Sequence, residues 1–542
     1  MSVTHRAVAR PRIEKLARET FGWQSLRAGQ LEAVQSLTRR RDTLVVMATG
    51  SGKSAIYQLA GCLIDGATLV VSPLISLQRD QIEGIEDELP GEAAALDAST
   101  SEAQREQRLD DLGDALEFLF LAPEQLAREE TVSALGEADV SLLVVDEAHC
   151  ISEWGHDFRP DYLRLGALVE ALGRPTLLAL TATASPPVRA EIAERLGMRD
   201  PELIVRGFDR PNLRLAVKND RDPGRKRAAL VERAAELGGP GIVYVATRRL
   251  TEELAAELRD AGLRTAPYHA GLARRARDET QAEFMDGRLD AVIATTAFGM
   301  GVDKPDVRFV LHHDPSDSLD SYWQEIGRAG RNGEPAEAML FWREHDLGLR
   351  RFFAAGAVDG ETVARVAERM ANESRPVEPQ RLREELELGD TKIASALSRL
   401  EEAGAVELRP DGRVRSLAVE PDQVERAMEA AEERRAFDRS RLEMMRAYAE
   451  HDRCRREFVL SYFGEPYEGP CGHCDNCEAG RGAAEDGAEP FVRGARVEHR
   501  EWGEGVVQRY DGDEMSVLFD SVGYRTLSLQ LVEERNLLRE SS

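Results

Sequence analysis

The stretch TLVVMATGSGKS (43–54) decides the fold. Its first five residues are apolar or β-branched and read as a short buried strand. A glycine-rich loop follows, and SAIYQLAG (54–61) then reads as a helix. In that order of elements, the N–H groups of the loop and of the helix N-terminus face one point, which suits phosphate. Thr49, Gly50, Ser51 and Gly52 would line the cradle. Lys53 would reach the β- and γ-phosphates of ATP, and Ser54 would ligate Mg²⁺. Met47 stands where the simple eight-residue form has its first glycine.

Outward from that loop, short Val- and Leu-rich runs alternate with amphipathic stretches: ATLVVS (67–72), LEFLFLA (116–122), SLLVVDE (141–147) and TLLALTA (176–182). Such runs read as parallel strands covered by helices on both faces. VVDEAHC (144–150) ends one of them in two acids. Asp146 suits a magnesium shell, and Glu147 suits orienting a water for attack. A second series, GIVYVAT (241–247), LRTAPYH (263–269), LDAVIATT (289–296) and VRFVLHHD (307–314), predicts a second α/β unit. FDRPNL (208–213) would be the hinge between them. QEIGRAGR (324–331) offers Gln324, Arg328 and Arg331 to the γ-phosphate from the second unit. A solvated helix carrying two arginines is the plainer reading of that octapeptide alone.

The chain has 542 residues, enough for several domains, and 42% of them are hydrophobic. The net charge of −27 excludes a surface that is basic all over, though it leaves room for a local basic groove. There is no run of about 18 apolar residues and no signal-peptide core, so a soluble, cytoplasmic protein is expected.

Beyond Phe341 the pattern changes. Residues 359–403 predict three helices, and VELRPDGRVRSLAV (406–419) predicts a hairpin turning at Asp-Gly. Together they suggest a winged-helix-like domain at 357–419. Arg409, Arg413 and Arg415 on its hairpin suit phosphate contacts, and a purely structural wing suits the acid-rich helix beside them equally well. Residues 421–480 read as a helical module carrying Cys454, Cys471, Cys474 and Cys477. Four thiolates at this spacing favour tetrahedral Zn²⁺, with an iron–sulfur cluster as the alternative. His473, between two of them, reads as a bystander. GRGAAEDGAEP reads as a linker, placed at 481–490, and the short strands of 491–542 as a small β-barrel.

With these residues in view, the chain resembles the RecQ family of DNA helicases over about 15–340 and again over about 440–478. FGWQSLRAGQ (21–30), SPLISLQRDQ (72–81), TATA (181–184), HAGL (269–272) and TTAFGMGVDKPDVR (295–308) match helicase motifs in order. The resemblance implies an α/β fold of two tandem RecA-like P-loop domains, 1–209 and 210–345. It implies that Trp23 stacks on adenine while Arg27 and Gln30 hydrogen-bond it. CISEWGHDFRPDY (150–162) is similar to the family's aromatic-rich loop, so Trp154, His156, Phe158 and Arg159 would touch DNA bases and backbone. The implied activity is ATP-dependent 3′–5′ unwinding of DNA in repair or recombination, with ATP, Mg²⁺ and Zn²⁺ bound. An RNA helicase and a motor-dead nucleic-acid scaffold are the alternatives. The chain departs from the family pattern in that the winged-helix-like segment precedes the cysteines. Finally, RVEHREWGEGVVQRYDGDEMSVLFD (496–520) resembles the Tudor-like module at the end of UvrD-type helicases. That likeness implies a docked protein partner such as RNA polymerase. A stabilising cap on the zinc module is the other reading.

Overall fold

The computed structural model describes residues 8–48, 50–73, 75–89, 92–97, 100–113, 115–152, 159–299, 302, 304–348, 359–409, 413–417, 420–465, 467, 469–482 and 489–541. Two parallel sheets form the first two-thirds of the chain. The first contains β1 (Thr43–Met47), β2 (Ala67–Val71), β3 (Ala93–Leu96), β4 (Phe118–Leu121), β5 (Val140–Val145), β6 (Thr176–Thr181) and β7 (Glu202–Arg206), in the order β3-β4-β2-β5-β6-β1-β7. Strands β1, β2, β4, β5 and β6 are buried along their whole length, as their unbroken apolar runs predict.

The second sheet contains β8 (Leu213–Asn219), β9 (Gly241–Tyr244), β10 (Thr265–Tyr268), β11 (Ala291–Ala294), β12 (Phe309–His312) and β13 (Ala336–Trp342), in the order β10-β11-β9-β12-β13-β8. All of its pairings are parallel. Together the sheets form two tandem RecA-like domains.

Four of these strands escaped the apolar-run reading. β3 is AAAL, short, alanine-rich and at the sheet edge, and β7, at the other edge, has a single fully buried residue, Ile204. β8 (LRLAVKN) mixes charge into an edge strand, and β13 (AEAMLFW) carries a buried Glu337. That carboxylate is held by Arg214 and Arg233, which is how a charge survives inside a strand. The hinge sequence therefore runs straight into β8.

Helices Gly360–Ala371, Pro379–Leu386 and Asp390–Glu402 and the hairpin β14 (Val406–Leu408) with β15 (Val414–Ser416) enclose their own core, including Val363, Val366, Met370, Leu382, Leu397 and Val414. The 30-residue helix Pro421–Glu450 links this unit to the next. Ala427 and Ala431 belong to the core of the helical unit, while Leu442, Met445 and Tyr448 join the apolar cluster of the motor.

The chain ends in an antiparallel sheet of β16 (Arg496–His499), β17 (Gly503–Asp511), β18 (Glu514–Phe519), β19 (Gly523–Ser528) and β20 (Leu538–Glu540), ordered β19-β18-β17-β16-β20. Most of the linker segment lies outside the described residues. Among the described residues, no helix is long and apolar enough to cross a membrane.

Candidate nucleotide site and metal centre

β1 delivers the glycine-rich loop to the C-terminal edge of the first sheet, and helix Ser54–Gly61 departs from it. That order of elements leaves Lys53 half-buried, with Nζ donating to the carbonyls of Met47 (3.1 Å) and Ala48 (3.5 Å). Burial lowers the proton affinity of this ammonium. Glu147 and Asp146 oppose that shift, and Arg331 adds to it. Lys53 thus feels the acid pair of its own domain and an arginine of the other. Thr49 lies outside the described residues.

Arg27 and Gln30 close over the same loop. Gln30 Nε2 donates to Gly52 O at 2.8 Å, Arg27 donates to Gly50 O, and Gln30 Oε1 accepts from the Arg27 backbone N–H at 2.8 Å. Gly52 has φ +79°, and a Cβ there would lie 2.8 Å from Gln30 Nε2, so only glycine lets the glutamine approach. Trp23 stacks on Phe21, ring centres 4.7 Å apart and 15° from parallel, and stays partly exposed.

β5 ends at the acid pair. Asp146 Oδ1 accepts from the Glu147 N–H at 2.9 Å, and Oδ2 lies 3.4 Å from Ser72 Oγ. Burial, then the neighbouring Glu147, push the Asp146 carboxyl up to about 7, against the pull of Lys53. Glu147 takes a left-handed backbone (φ +47°). Its Oε2 is buried, makes no hydrogen bond, and lies 3.3 Å from His149 Nδ1. His149 in turn sits 2.9 Å from Thr181 Oγ1, at the end of β6. Ser54 Oγ accepts from Gln81 Nε2 at 3.3 Å. A desolvated carboxylate, an unsatisfied carboxylate oxygen and a serine hydroxyl form a donor set suited to a hard divalent cation.

Across the cleft, helix Leu319–Ile326 leads into the arginine turn. The two arginines take different places. Arg328 is 5% exposed, near Tyr244 and Gly299 of its own domain. Arg331 lays its side chain against the phosphate loop: a Cβ on Gly50 would stand 3.4 Å from Arg331 Cγ. Gln324 lies half-buried on that helix.

Two residues that sequence reading passed over hold this turn. Arg210 donates to Gly327 O (3.1 Å) and Ala329 O (2.7 Å), and Asn212 Nδ2 donates to Gly330 O and Glu334 O at 2.8 Å. Both lie in the FDRPNL segment, where the proline drew the hinge reading and the polar residues beside it carried no separate signal. His149, inside VVDEAHC, likewise carries no separate signal.

Trp154, His156 and Phe158 lie outside the described residues. Both flanks of their loop are anchored near the acid pair. The Arg159 N–H donates to Cys150 O at 2.9 Å, Arg159 also donates to Pro73 O at 3.2 Å, and Tyr162 Oη donates to Asp146 O at 3.0 Å.

The four cysteines converge: the sulfurs of Cys454, Cys471, Cys474 and Cys477 all lie within 4.8 Å of one another. Backbone N–H groups of Cys471 (3.3 Å), His473 (3.4 Å) and Cys477 (3.5 Å) point at sulfur, as expected around thiolates. Converging soft ligands with oriented outer donors fit a closed tetrahedral zinc site. The module is stitched to the hinge and to β8. Val217 N donates to Asp475 at 2.9 Å, Arg456 donates to Leu213 O at 2.8 Å, and Phe208 stacks on Phe463 at 4.5 Å. Arg189, just after the TATA motif, donates to Phe463 O at 2.6 Å.

Residues 27–191 match the DEAD/DEAH box helicase family, 225–333 the helicase conserved C-terminal domain, and 415–478 the RecQ zinc-binding family. The chain is 34% identical over 470 residues to the probable ATP-dependent DNA helicase RecS of Bacillus subtilis, covering 86% of this chain and 92% of that protein. It is 35% identical over 493 residues to the ATP-dependent DNA helicase RecQ of Synechocystis, covering 87% and 99%. Against the RecQ of Haemophilus influenzae it is 33% identical but spans only 64% of that longer protein. Among solved structures, DNA-bound DUF1998 helicase MrfA (TM-score 0.53, 18% identical, 78% of this chain and 65% of that one) shares the fold. With the two motor domains, the four-cysteine centre and these relatives in agreement, the chain belongs to the RecQ family of ATP-dependent DNA helicases.

Proposed function

We propose that this protein hydrolyses ATP in the cleft between its two RecA-like domains and uses the cycle to step 3′ to 5′ along single-stranded DNA, displacing the complement during repair or recombination in the cytoplasm. The observation that carries this reading is the convergence of Lys53, Asp146, Glu147 and Arg331 on one glycine-rich loop.

In this reading the N–H groups from Thr49 to Gly52 and the Lys53 ammonium hold the β- and γ-phosphates. Lys53 releases its bonds to Met47 O and Ala48 O to do so. Ser54 and Asp146 would hold Mg²⁺, which when bound offsets the phosphate charge. Glu147 accepts a hydrogen bond from the attacking water. Arg331 stabilises the charge that develops as the γ-phosphoryl transfers, with Gln324 beside it. Arg328, packed on its own domain, holds the arginine turn and reaches the phosphate only when the cleft closes. Trp23 supplies a face for adenine, and Arg27 and Gln30 read its edge after leaving the loop carbonyls. Lys53, Arg27 and Gln30 would each exchange a backbone carbonyl for the nucleotide.

DNA bases would stack on Trp154 and Phe158, with His156 and Arg159 adding polar contacts. The anchoring of both loop flanks beside Asp146 supports a direct link between DNA and hydrolysis. Three helices and a hairpin about one core support a winged helix at 357–419, and the five-stranded antiparallel sheet supports an SH3/Tudor-like barrel at 491–542. Zinc at Cys454, Cys471, Cys474 and Cys477 is structural. The burial of Tyr524 and Arg509 against the zinc module supports a stabilising cap at 491–542 over a tethered dock for RNA polymerase.

The deciding experiment compares single-stranded DNA with single-stranded RNA as activators of ATP hydrolysis, and 3′-tailed with 5′-tailed duplexes as substrates. DNA activation and 3′-tail preference are expected. Stronger activation by RNA would replace the reading with that of an RNA helicase.

A further inference from the structure

The helix that carries Gln324 and leads to Arg331 is held at both ends. Arg210 takes the carbonyls at its C-terminal turn. At its N-terminal turn stands Asp320, a carboxylate only 2% exposed. It is not among the residues assigned to the nucleotide, and its partners come from the C-terminal half of the chain. Tyr462 Oη donates to Asp320 Oδ2 at 2.6 Å, and the Arg441 guanidinium lies 3.4 Å from the same oxygen while donating to Ser318 Oγ at 2.9 Å. Burial works against the Arg441 charge, and Asp320, Tyr462, Asp317 and Asp438 more than offset it.

The C-terminal sheet completes this junction. Tyr524 is buried and stacks on Tyr462, ring centres 5.1 Å apart and 28° from parallel, with Phe437 on its other side at 6.1 Å. Gly523 lets β19 come this close: a Cβ there would lie 2.3 Å from Ser440 Oγ. A further aromatic contact, Tyr322 with Tyr448 at 5.3 Å, joins helix 319–326 to the long helix that carries Arg441.

A charged group buried at this cost, four residues before Gln324, is in a position to set where the arginine turn sits. The Arg331 side chain lies in contact distance of the phosphate loop, so small displacements of its helix alter the cleft. We propose that Asp320 is a positioning residue for ATP hydrolysis: held by Arg441 and Tyr462, with Tyr524 packed behind them, it fixes helix 319–326 so that Arg331 meets the nucleotide. Through it the C-terminal half of the chain acts on the motor. This rests on the reading of Arg331 as the arginine that meets the γ-phosphate.

The test uses the full-length, zinc-loaded protein with DNA-stimulated hydrolysis as the readout. Asp320→Asn keeps the shape and removes the charge. Its kcat should fall about tenfold while the KM for ATP stays within twofold. Tyr462→Phe should lower kcat less. The double variant should fall no further than Asp320→Asn, because the phenol acts through that carboxylate. An unchanged kcat in folded Asp320→Asn, or losses that multiply in the double variant, would overturn the proposal. Should Asp320→Asn fail to fold, Tyr462→Phe carries the test, and an unchanged kcat there overturns it equally. Arg331→Ala is the companion. If it loses hydrolysis while Asp320→Asn does not, the positioning role alone is wrong. If it retains hydrolysis, the arginine reading is wrong and the positioning role goes with it.

Discussion

The nucleotide cleft and the C-terminal half are built in opposite ways. In the cleft, most functional side chains sit at the end of an apolar strand or in a glycine-rich turn, and their polar partners lie on the same strand end or on that of the neighbouring strand. Lys53 bonds to the strand before it, and Asp146 to Glu147 and Ser72. In the C-terminal half the decisive contacts reach back to the motor domains, 121 to 274 residues away: Arg189 to Phe463, Arg214 to Glu478, Arg441 to Asp320. Chemistry on phosphate demands particular residues at fixed local spacing. Docking demands only complementary surfaces, which many sequences provide.

That difference explains what the amino acids disclose. Both parallel sheets were legible from their fully buried strands, and the phosphate loop, the acid pair and the cysteines from spacing alone. The edge strands β3, β7 and β8 were not, because a strand with one open side needs no continuous apolar run. The separate fates of Arg328 and Arg331 were also hidden. Three residues apart on a turn, they differ only in which domain each faces. Arg210 and Asn212 were hidden because an arginine that holds backbone carbonyls looks like any surface arginine.

If the C-terminal half is held together mainly by its metal, removing one ligand should have the largest effect. Metal analysis of the native protein should give roughly one zinc per chain, and Cys474→Ser should lose it. The segment 440–480 should then unfold, since structural zinc contributes roughly 10–16 kcal/mol in small peptides. Full zinc content with native stability in that variant would break the metal assignment, and visible-range iron absorption would replace it.

A smaller but more specific effect is expected where the motor would meet DNA. Trp154→Ala should lose most of the DNA stimulation of hydrolysis and keep part of the DNA affinity, because phosphate contacts elsewhere supply much of the binding. Stimulation equal to the native protein would remove the loop from the coupling.

Removing residues 491–542 uncovers Tyr462, Phe437 and Phe458. At roughly 1.5–3 kcal/mol per buried aromatic side chain, the truncated protein should melt several degrees lower. A truncation with native melting temperature and native kcat would show the sheet to be an appendage, as the docking reading has it.

The smallest effect belongs to the scaffold of the first domain. Burial pushes the Glu117 carboxyl up to about 7, with Thr68 opposing and Glu92 and Asp65 adding to the shift. A raised carboxyl favours the protonated folded state, so its ionisation costs stability as pH rises from about 4.5 to 7 and the cost is complete above that. Glu117→Gln should therefore raise the melting temperature at pH 8 and make little difference near pH 4.5. A gain that is equal at both values would place its origin elsewhere.

The central claim is that the cleft between Lys53 and Arg331 drives strand separation, and one comparison tests it most directly. Native protein and Lys53→Ala are mixed with a 3′-tailed DNA duplex and ATP, and strand displacement is followed together with phosphate release. The native protein should separate the strands. Lys53→Ala, folded and still able to bind DNA, should release phosphate and displace strands at no more than background rates, because it lacks the charge that meets the phosphates and loses no core packing. Near-native displacement by Lys53→Ala would contradict the account.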